Sequence, residues 1–239
     1  MPGLDLTFRQ RLTWCAHFFK AVAKQHHQEL RPLLGRSIGT AAIVIDVGAH
    51  AGQFAKLFSR LAPRGHVYAF EPGRYARSIL QPMLRLRALG NVTVIAAGLS
   101  DQPGEATLSL PIKRSGSLGF GLGNLGQSDA ARPQQREIVP ITTLDRFVAE
   151  AGLQRMDFIK ADIEGWEVRL LAGASDCLTR FRPALLLELS AEHLARAGNR
   201  PDEAFALLLP LGYRAYRLPE TERAVERFAG DGDYLFLPN

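Results

Sequence analysis

Cysteine is scarce in this chain, with two copies, and no apolar run approaches the roughly 18 uninterrupted residues that a membrane span takes. Cys15 and Cys177 lie in unrelated contexts and form no CxxC pair, so both read as buried thiols of a reducing compartment. The opening MPGLDLTFRQRLTW has no basic cap followed by an apolar h-region, so no cleaved export signal is expected and the expected location is cytoplasmic. A long basic tract is also missing. The net charge of +5 could suit nucleic acid or a lipid surface, yet Arg85 with Arg87 and Arg180 with Arg182 are only local pairs, as on an ordinary solvated surface. His17, His26, His27 and His66 combine with no cysteine or acid into a zinc set.

What the chain does have is a core. Its 239 residues are 46% apolar and 22% charged, which excludes a wholly disordered or collagen-like chain and suits one extended α/β unit. Residues 7–34 carry Phe8, Leu12, Ala16, Phe19 and Ala23 at helical spacing, with an end expected near Arg31 and Pro32. Residues 1–36 are therefore read as a helical extension packed on the core, whose bulky face could also make a homodimer contact. Residues 37–239 form the main domain.

That domain opens as strand, glycine turn and helix in AAIVIDVGAHAGQFAKLFSRLAP, the start of a βαβ unit. HVYAFEP, NVTVIAAGLS, RMDFIKADIEG and FRPALLLELS read as further strands, with RYARSILQPMLRLRALG, WEVRLLAGASDCL and EAFALLLPLG as helices. Pro82 is a possible kink in the first of these helices. YRAYRLP and DYLFLPN close the sheet with an antiparallel C-terminal strand. The fold class is thus α/β: a doubly wound, Rossmann-like, mostly parallel sheet with helices on both faces and its ligand edge at the strand C-termini. Residues 105–140 break this rhythm as a glycine-rich, hairpin-like insertion, with Thr143 preceding a short helix. Its stretch from Lys113 to Arg136 is the natural acceptor lid, where Arg114 and Arg132 can hold an anionic group.

Asp46, Gly48 and Gly52 in IDVGAHAGQF carry the strongest chemical signal. Glycines at a strand-to-helix turn let a ligand approach the backbone, while the helix N–H groups favour electronegative atoms. The pattern is neither a phosphate loop nor a clean GxGxxG. Glu71 ends the second strand about twenty residues on, where an acid can accept from both hydroxyls of a ribose. Asp46 would repel a pyrophosphate but suit a cationic amino-acid moiety, which favours S-adenosylmethionine over a dinucleotide.

Taken in order, IDVGAHAGQFA, YAFEPG, GLSDQPG, LDRF, IKADIEGWEVRLLAGA and LLLEL resemble the FkbM family of S-adenosylmethionine-dependent methyltransferases, over about residues 43–189. The resemblance implies that Asp46, Gly48 and Gly52 form the cofactor loop, that Glu71 is the ribose acid and that Ser100 and Asp101 lie near the adenine. It matches Asp162, Glu164 and Gly165 to the family signature after the fourth strand. His50 stands where the family most often has asparagine, and a charged His50 would couple the contact to pH.

In KADIEG, Lys160, Asp162 and Glu164 are spaced by two on a strand nearing its C-terminal end, so they should share a face until the strand ends, with Lys160 neutralising an acid. Asp162 is expected near the transferable methyl. Glu188 and His193 join it as candidates for taking the acceptor proton. Asp162 with Glu188 could hold Mg, but a carboxylate pair alone does not favour a metal. The expected reaction is O-methylation of a small-molecule, sugar or glycan hydroxyl, with S-adenosylhomocysteine as product. The residues alone equally allow an N-acceptor. An RNA-methylating or RNA-binding protein would need a continuous basic groove. A nicotinamide-dependent oxidoreductase would need a hydride-site proton donor, and no YxxxK pair is present where one is expected.

Overall fold

The architecture follows from where apolar runs end. The computed structural model describes residues 6–112, 124–125 and 133–239. The expected long first helix is two: α1 (Phe8–Ala23), capped by the Thr7 side chain, and α2 (Arg31–Ser37), separated by a 3-10 turn. Pro32 sits in the first turn of α2, where its missing N–H costs nothing, so it begins a helix instead of ending one. Cys177 is buried but Cys15 is exposed, a correction for a thiol expected inside.

The chain then alternates: β1 (Ile43–Val47), α3 (Gln53–Leu61), β2 (His66–Phe70), α4 (Arg74–Leu86) and β3 (Val92–Ile95). Helix α4 runs on through Pro82. NVTVIAAGLS is not one strand: β3 stops at Ile95, and β4 (Gly98–Leu99) joins a second sheet. That sheet contains β5 (Gly104–Pro111), β6 (Asn124–Leu125) and β7 (Gln134–Thr142), with β5 and β7 antiparallel, as a hairpin-like insertion requires. The lid residues Arg114 and Arg132 lie outside the described residues.

Thr143 accepts from Arg146 N at the start of α5 (Leu144–Glu150), ahead of β8 (Phe158–Ala161). WEVRLLAGASDCL divides into α6 (Glu167–Ala172) and α7 (Ser175–Phe181) at Gly173, where a Cβ would stand 2.0 Å from the Ser100 carbonyl oxygen. The remaining elements are β9 (Ala184–Leu189), α8 (Ala191–Arg196), α9 (Pro201–Leu208), β10 (Tyr213–Arg217) and β11 (Gly232–Pro238).

The main sheet has the order β10-β11-β9-β8-β1-β2-β3, with β11 antiparallel to both neighbours and the rest parallel. Both faces are covered, which explains why its central strands are mostly apolar, with Asp46 on β1 and Lys160 on β8 as buried charged exceptions. On one face Ile45 and Val47 pack with Leu170, Leu178 and Phe205. On the other, Val44 packs with Leu34, Leu57 and Phe58. Burying those side chains contributes roughly 2 kcal/mol each. Asp46 shares the Val44 face and is fully buried there.

Candidate active site

The C-terminal ends of β1, β2, β8 and β9 open onto a cavity of about 400 Å³, of a size that takes a small-molecule ligand. Its walls include Gly48, His50, Glu71, Tyr75, Lys160, Asp162, Glu164 and Glu188, with Leu108 from the second sheet. Of the residues singled out from sequence, Gly48, His50, Glu71, Lys160, Asp162, Glu164 and Glu188 meet here.

The β1 turn is built around two glycines. Gly48 has φ +74°, and a Cβ on it would stand 2.1 Å from the Asp162 carbonyl oxygen, so only glycine lets the β1 and β8 loops touch. Gly52, at φ +83°, is the N-cap of α3, and a Cβ there would meet Met83 and Leu80 at 2.5 and 2.6 Å. It serves helix packing and does not line the cavity. The Gly48 and Ala49 N–H groups both donate to the Phe70 carbonyl at 3.0 Å, tying this turn to the end of β2.

Glu71 follows at once. Its Oε2 accepts from the His50 N–H and its Oε1 from the Gly73 N–H, each at 2.8 Å. Arg77 donates to the Glu71 and Pro72 carbonyls, so α4 fixes the same bend. Burial nevertheless pushes the Glu71 carboxyl up to about 7, against those two N–H donors. Each oxygen keeps lone-pair capacity beyond its backbone bond, so the group can still accept from a diol. A buried acid held by the glycine turn, with apolar Tyr75, Ala76 and Leu108 beside it, fits a nucleoside-type group.

Beneath the turn runs a line of charge. Asp46 and Lys160 are register partners on β1 and β8, and the Lys160 ammonium lies 3.7 Å from both Asp46 Oδ1 and Asp162 Oδ2. It also donates to the Val47 and Gly48 carbonyls at 3.2 Å. Burial raises the Asp46 carboxyl to about 6, with Lys160 opposing. Asp46 is absent from the cavity wall and lies beneath the turn against the protein's own Lys160 ammonium.

Asp162 and Glu188 share a side-chain hydrogen bond. That bond to Asp162, then burial, raises Glu188 to about 8; burial also acts to raise Asp162, but Lys160 and the Glu188 bond outweigh it and hold Asp162 low. The pair is one low and one high carboxyl, the arrangement in which the first can accept a proton and the second carries one at neutral pH.

Other expectations are corrected. Strand β8 ends at Ala161 and Glu164 adopts φ +56°, so the shared strand face stops there, yet Lys160, Asp162 and Glu164 all line the cavity. Glu164 turns to His193, whose Nδ1 is 2.7 Å from its Oε2. His193 reaches the cavity only through that contact. His50 is pushed down to about 4, chiefly by burial, so it stays neutral near physiological pH and provides no switch there. Ser100 and Asp101 bond to each other at 2.7 Å at the end of β4 and do not line the cavity.

Several contributors escaped the sequence reading. His27, in the left-handed region, stacks on Phe54 with centroids 4.3 Å apart, and both line the cavity. Nothing in its local pattern signals this, because α1 and α2 carry it there. Buried Glu167 accepts from the Ile163 and Gly165 N–H groups and holds the loop that presents Asp162. An acid in the first turn after a glycine was the available clue. Leu108 and Leu110 come from the hairpin. Among the described residues no group of three or more His, Cys, Asp or Glu side chains could hold a metal ion.

A family model described as the methyltransferase FkbM domain matches residues 46–215, a span that holds the β1 turn, Glu71, Asp162 and Glu188. The chain belongs to that family. It is an S-adenosylmethionine-dependent methyltransferase, and a buried acid on the glycine turn is compatible with that cofactor. The FkbM chain is 26% identical over 222 residues to the 2-O-methyltransferase NoeI of Sinorhizobium fredii, spanning 87% of each. It is 28% identical over 201 residues to the AMB antimetabolite synthetase AmbE of Pseudomonas aeruginosa, covering 72% of this chain but only 9% of that one. Methyltransferase FkbM from Methylobacillus flagellatus shares the fold at TM-score 0.55 and 17% identity, over 83% of this chain and 44% of its own. SMU.1697c of Streptococcus mutans, solved with S-adenosylhomocysteine, does so at TM-score 0.51 and 12% identity, over 89% and 96%.

Proposed function

We propose that this FkbM chain methylates a hydroxyl oxygen of a small molecule or glycan. The observation that carries the reading is the juxtaposition, in one cavity, of the Glu71 acceptor on the glycine turn and the Asp162–Glu188 carboxyl pair. The likeness to a 2-O-methyltransferase over 87% of both chains supports oxygen as the acceptor atom.

Glu71 would accept hydrogen bonds from the ribose hydroxyls, and Tyr75, Ala76 and Leu108 would supply an apolar wall for the base. Bound S-adenosylmethionine supplies an electrophilic methyl on a sulfonium. An aliphatic hydroxyl is a poor nucleophile while protonated, so its proton must leave as the carbon–oxygen bond forms. Asp162, held ionised by Lys160, is the base the site offers, and Glu188 returns or relays the proton through their shared bond. Lys160 fixes the Asp162 carboxylate and screens it from Asp46. Nucleophile and sulfonium lose charge together in such a transfer, so alignment and exclusion of water by Phe54, Leu108 and Leu110 matter more than an oxyanion site.

Calorimetry on the purified chain should give micromolar S-adenosylhomocysteine binding, weakened by Glu71→Ala; binding of NAD instead would reject the cofactor placement. A methyl-transfer screen over hydroxylated sugars, polyketides and lipids then identifies the acceptor. Transfer to amines alone would reject the oxygen assignment.

A further inference from the structure

Helix α1 has two apolar faces, and one of them is left bare. Trp14, Phe18 and Val22 pack on the core of α4 around Ile79 and Met83, and Trp14 Nε1 donates to Ser78 Oγ at 2.8 Å. The Lys56 ammonium binds the Ala21 and Lys24 carbonyls and pins the helix C-terminus to α3. On the opposite side Phe8, Leu12 and Phe19 are 76%, 57% and 71% exposed. With Cys15, Ala16 and Ala23, also exposed, they fall within an arc of about 100°. Arg9 and Lys20 border that arc on one side and Arg11 on the other. Residues 8–24 hold Arg9, Arg11, Lys20 and Lys24 and no acid at all.

We propose that α1 is a peripheral docking surface for an anionic lipid membrane. Phe8, Leu12 and Phe19 enter the headgroup boundary, and the bordering Arg9, Arg11 and Lys20 meet anionic headgroups. A rigid helix with an apolar strip between basic borders has the character of an interfacial helix, and no described helix is long and apolar enough to span a membrane. Charge and area favour this occupant over a second copy of the chain. Symmetric pairing of α1 would set four cations against four with no acid between them. The three exposed side chains offer roughly 400 Å², about half of what each partner gives to a stable protein interface.

The test is flotation of the full chain with vesicles. We expect binding to phosphatidylcholine–phosphatidylserine vesicles, weak binding to pure phosphatidylcholine, and loss of roughly tenfold in partitioning at high salt. Phe8→Glu with Phe19→Glu should lower partitioning about tenfold or more while S-adenosylhomocysteine affinity is unchanged. Arg9→Gln with Lys20→Gln, which leaves the apolar strip intact, should lower it on anionic vesicles only. Absence of flotation, or equal flotation on neutral vesicles, overturns the proposal. So does a sedimenting dimer that the phenylalanine substitutions abolish, or capture by an acidic protein without vesicle binding.

Discussion

The sharpest consequence of the site geometry is a pH dependence of cofactor affinity set by Glu71. A carboxyl accepts from two ribose hydroxyls far better when both its oxygens are free of a proton, and burial has raised this one from 4.5 to about 7. Near pH 8 most of the protein is ready to bind, whereas near pH 6 about one molecule in ten is. Apparent S-adenosylhomocysteine affinity should therefore fall about tenfold between pH 8 and pH 6. Isothermal titration calorimetry at pH 6, 7 and 8 measures it, and binding below pH 7 should release close to one proton. His50, pushed down to about 4, lies outside this window, whereas Glu188, raised to about 8, overlaps it. Hence the slope should survive in Glu188→Gln and vanish in Glu71→Gln. Losing the charge-assisted bonds should cost Glu71→Ala about 10- to 100-fold in affinity. Equal affinity at pH 6 and 8 in the unaltered chain would refute the reasoning, and so would an unchanged slope in Glu71→Gln.

The same shift has a stability counterpart of opposite sign. A folded-state carboxyl raised from 4.5 to about 7 favours the fold while protonated; that contribution is complete below 4.5 and lost as the pH rises through about 7. Ionising Glu71 in the empty protein costs roughly 3 kcal/mol of folding stability. Cofactor binding recovers part of it, so S-adenosylhomocysteine should raise the melting temperature more at pH 8 than at pH 6.

Lys160→Met leaves Asp46 ionisable and buried beside no cation, so it should destabilise the chain by about 3–5 kcal/mol in urea denaturation, with partial recovery on adding Asp46→Asn. An undiminished midpoint would mean that the Lys160 contacts at 3.7 Å carry no stability. Gly48→Ala places a methyl 2.1 Å from the Asp162 carbonyl oxygen and should abolish cofactor binding, while Gly152→Ala, at φ +63° with open space around it, should lose only about 1–2 kcal/mol of stability. Comparable effects at both glycines would assign Gly48's cost to backbone conformation alone. Asp162→Asn should lower kcat about 100-fold or more with cofactor affinity little changed, and Glu188→Gln should displace the alkaline limb of the kcat profile. Full activity in Asp162→Asn would return that residue to a structural role.

The main sheet was legible because its signals are local. Each central strand is a short apolar run closed by glycine, proline or an acid, and strand, turn and helix recur in an order that right-handed crossovers can wind only one way. Glu71 was legible for the same reason: it ends a strand at a fixed distance from a glycine turn. What failed depended on where an element stops. Lys160, Asp162 and Glu164 alternate in sequence and are expected on one face only until the strand ends, but alternation does not say where that is, and β8 stops at Ala161. Pro32 looked like a helix end because the periodicity on either side of it was continuous. His27 and Leu108 reach the cavity through tertiary packing that no local pattern encodes. Asp46 could be placed at the turn but not underneath it, because its partner Lys160 lies 114 residues away and becomes its neighbour only through β1–β8 pairing.

The displaced role of Asp46 strengthens the choice of cofactor instead of weakening it. Sequence alone set Asp46 against a pyrophosphate, yet a buried acid neutralised by Lys160 repels nothing. The discrimination passes to the cavity wall itself, where Glu71, Asp162, Glu164 and Glu188 stand against one ammonium. Even with Glu188 protonated, the wall holds more negative than positive charge. Two unit charges about 6 Å apart at an effective dielectric near 20 interact by roughly 3 kcal/mol, so this surplus opposes a phosphate and attracts a sulfonium. The attraction also changes across the reaction. A neutral thioether in the place of the sulfonium would be held less tightly by that wall. The carboxylates that recruit the methyl donor therefore also favour release of S-adenosylhomocysteine.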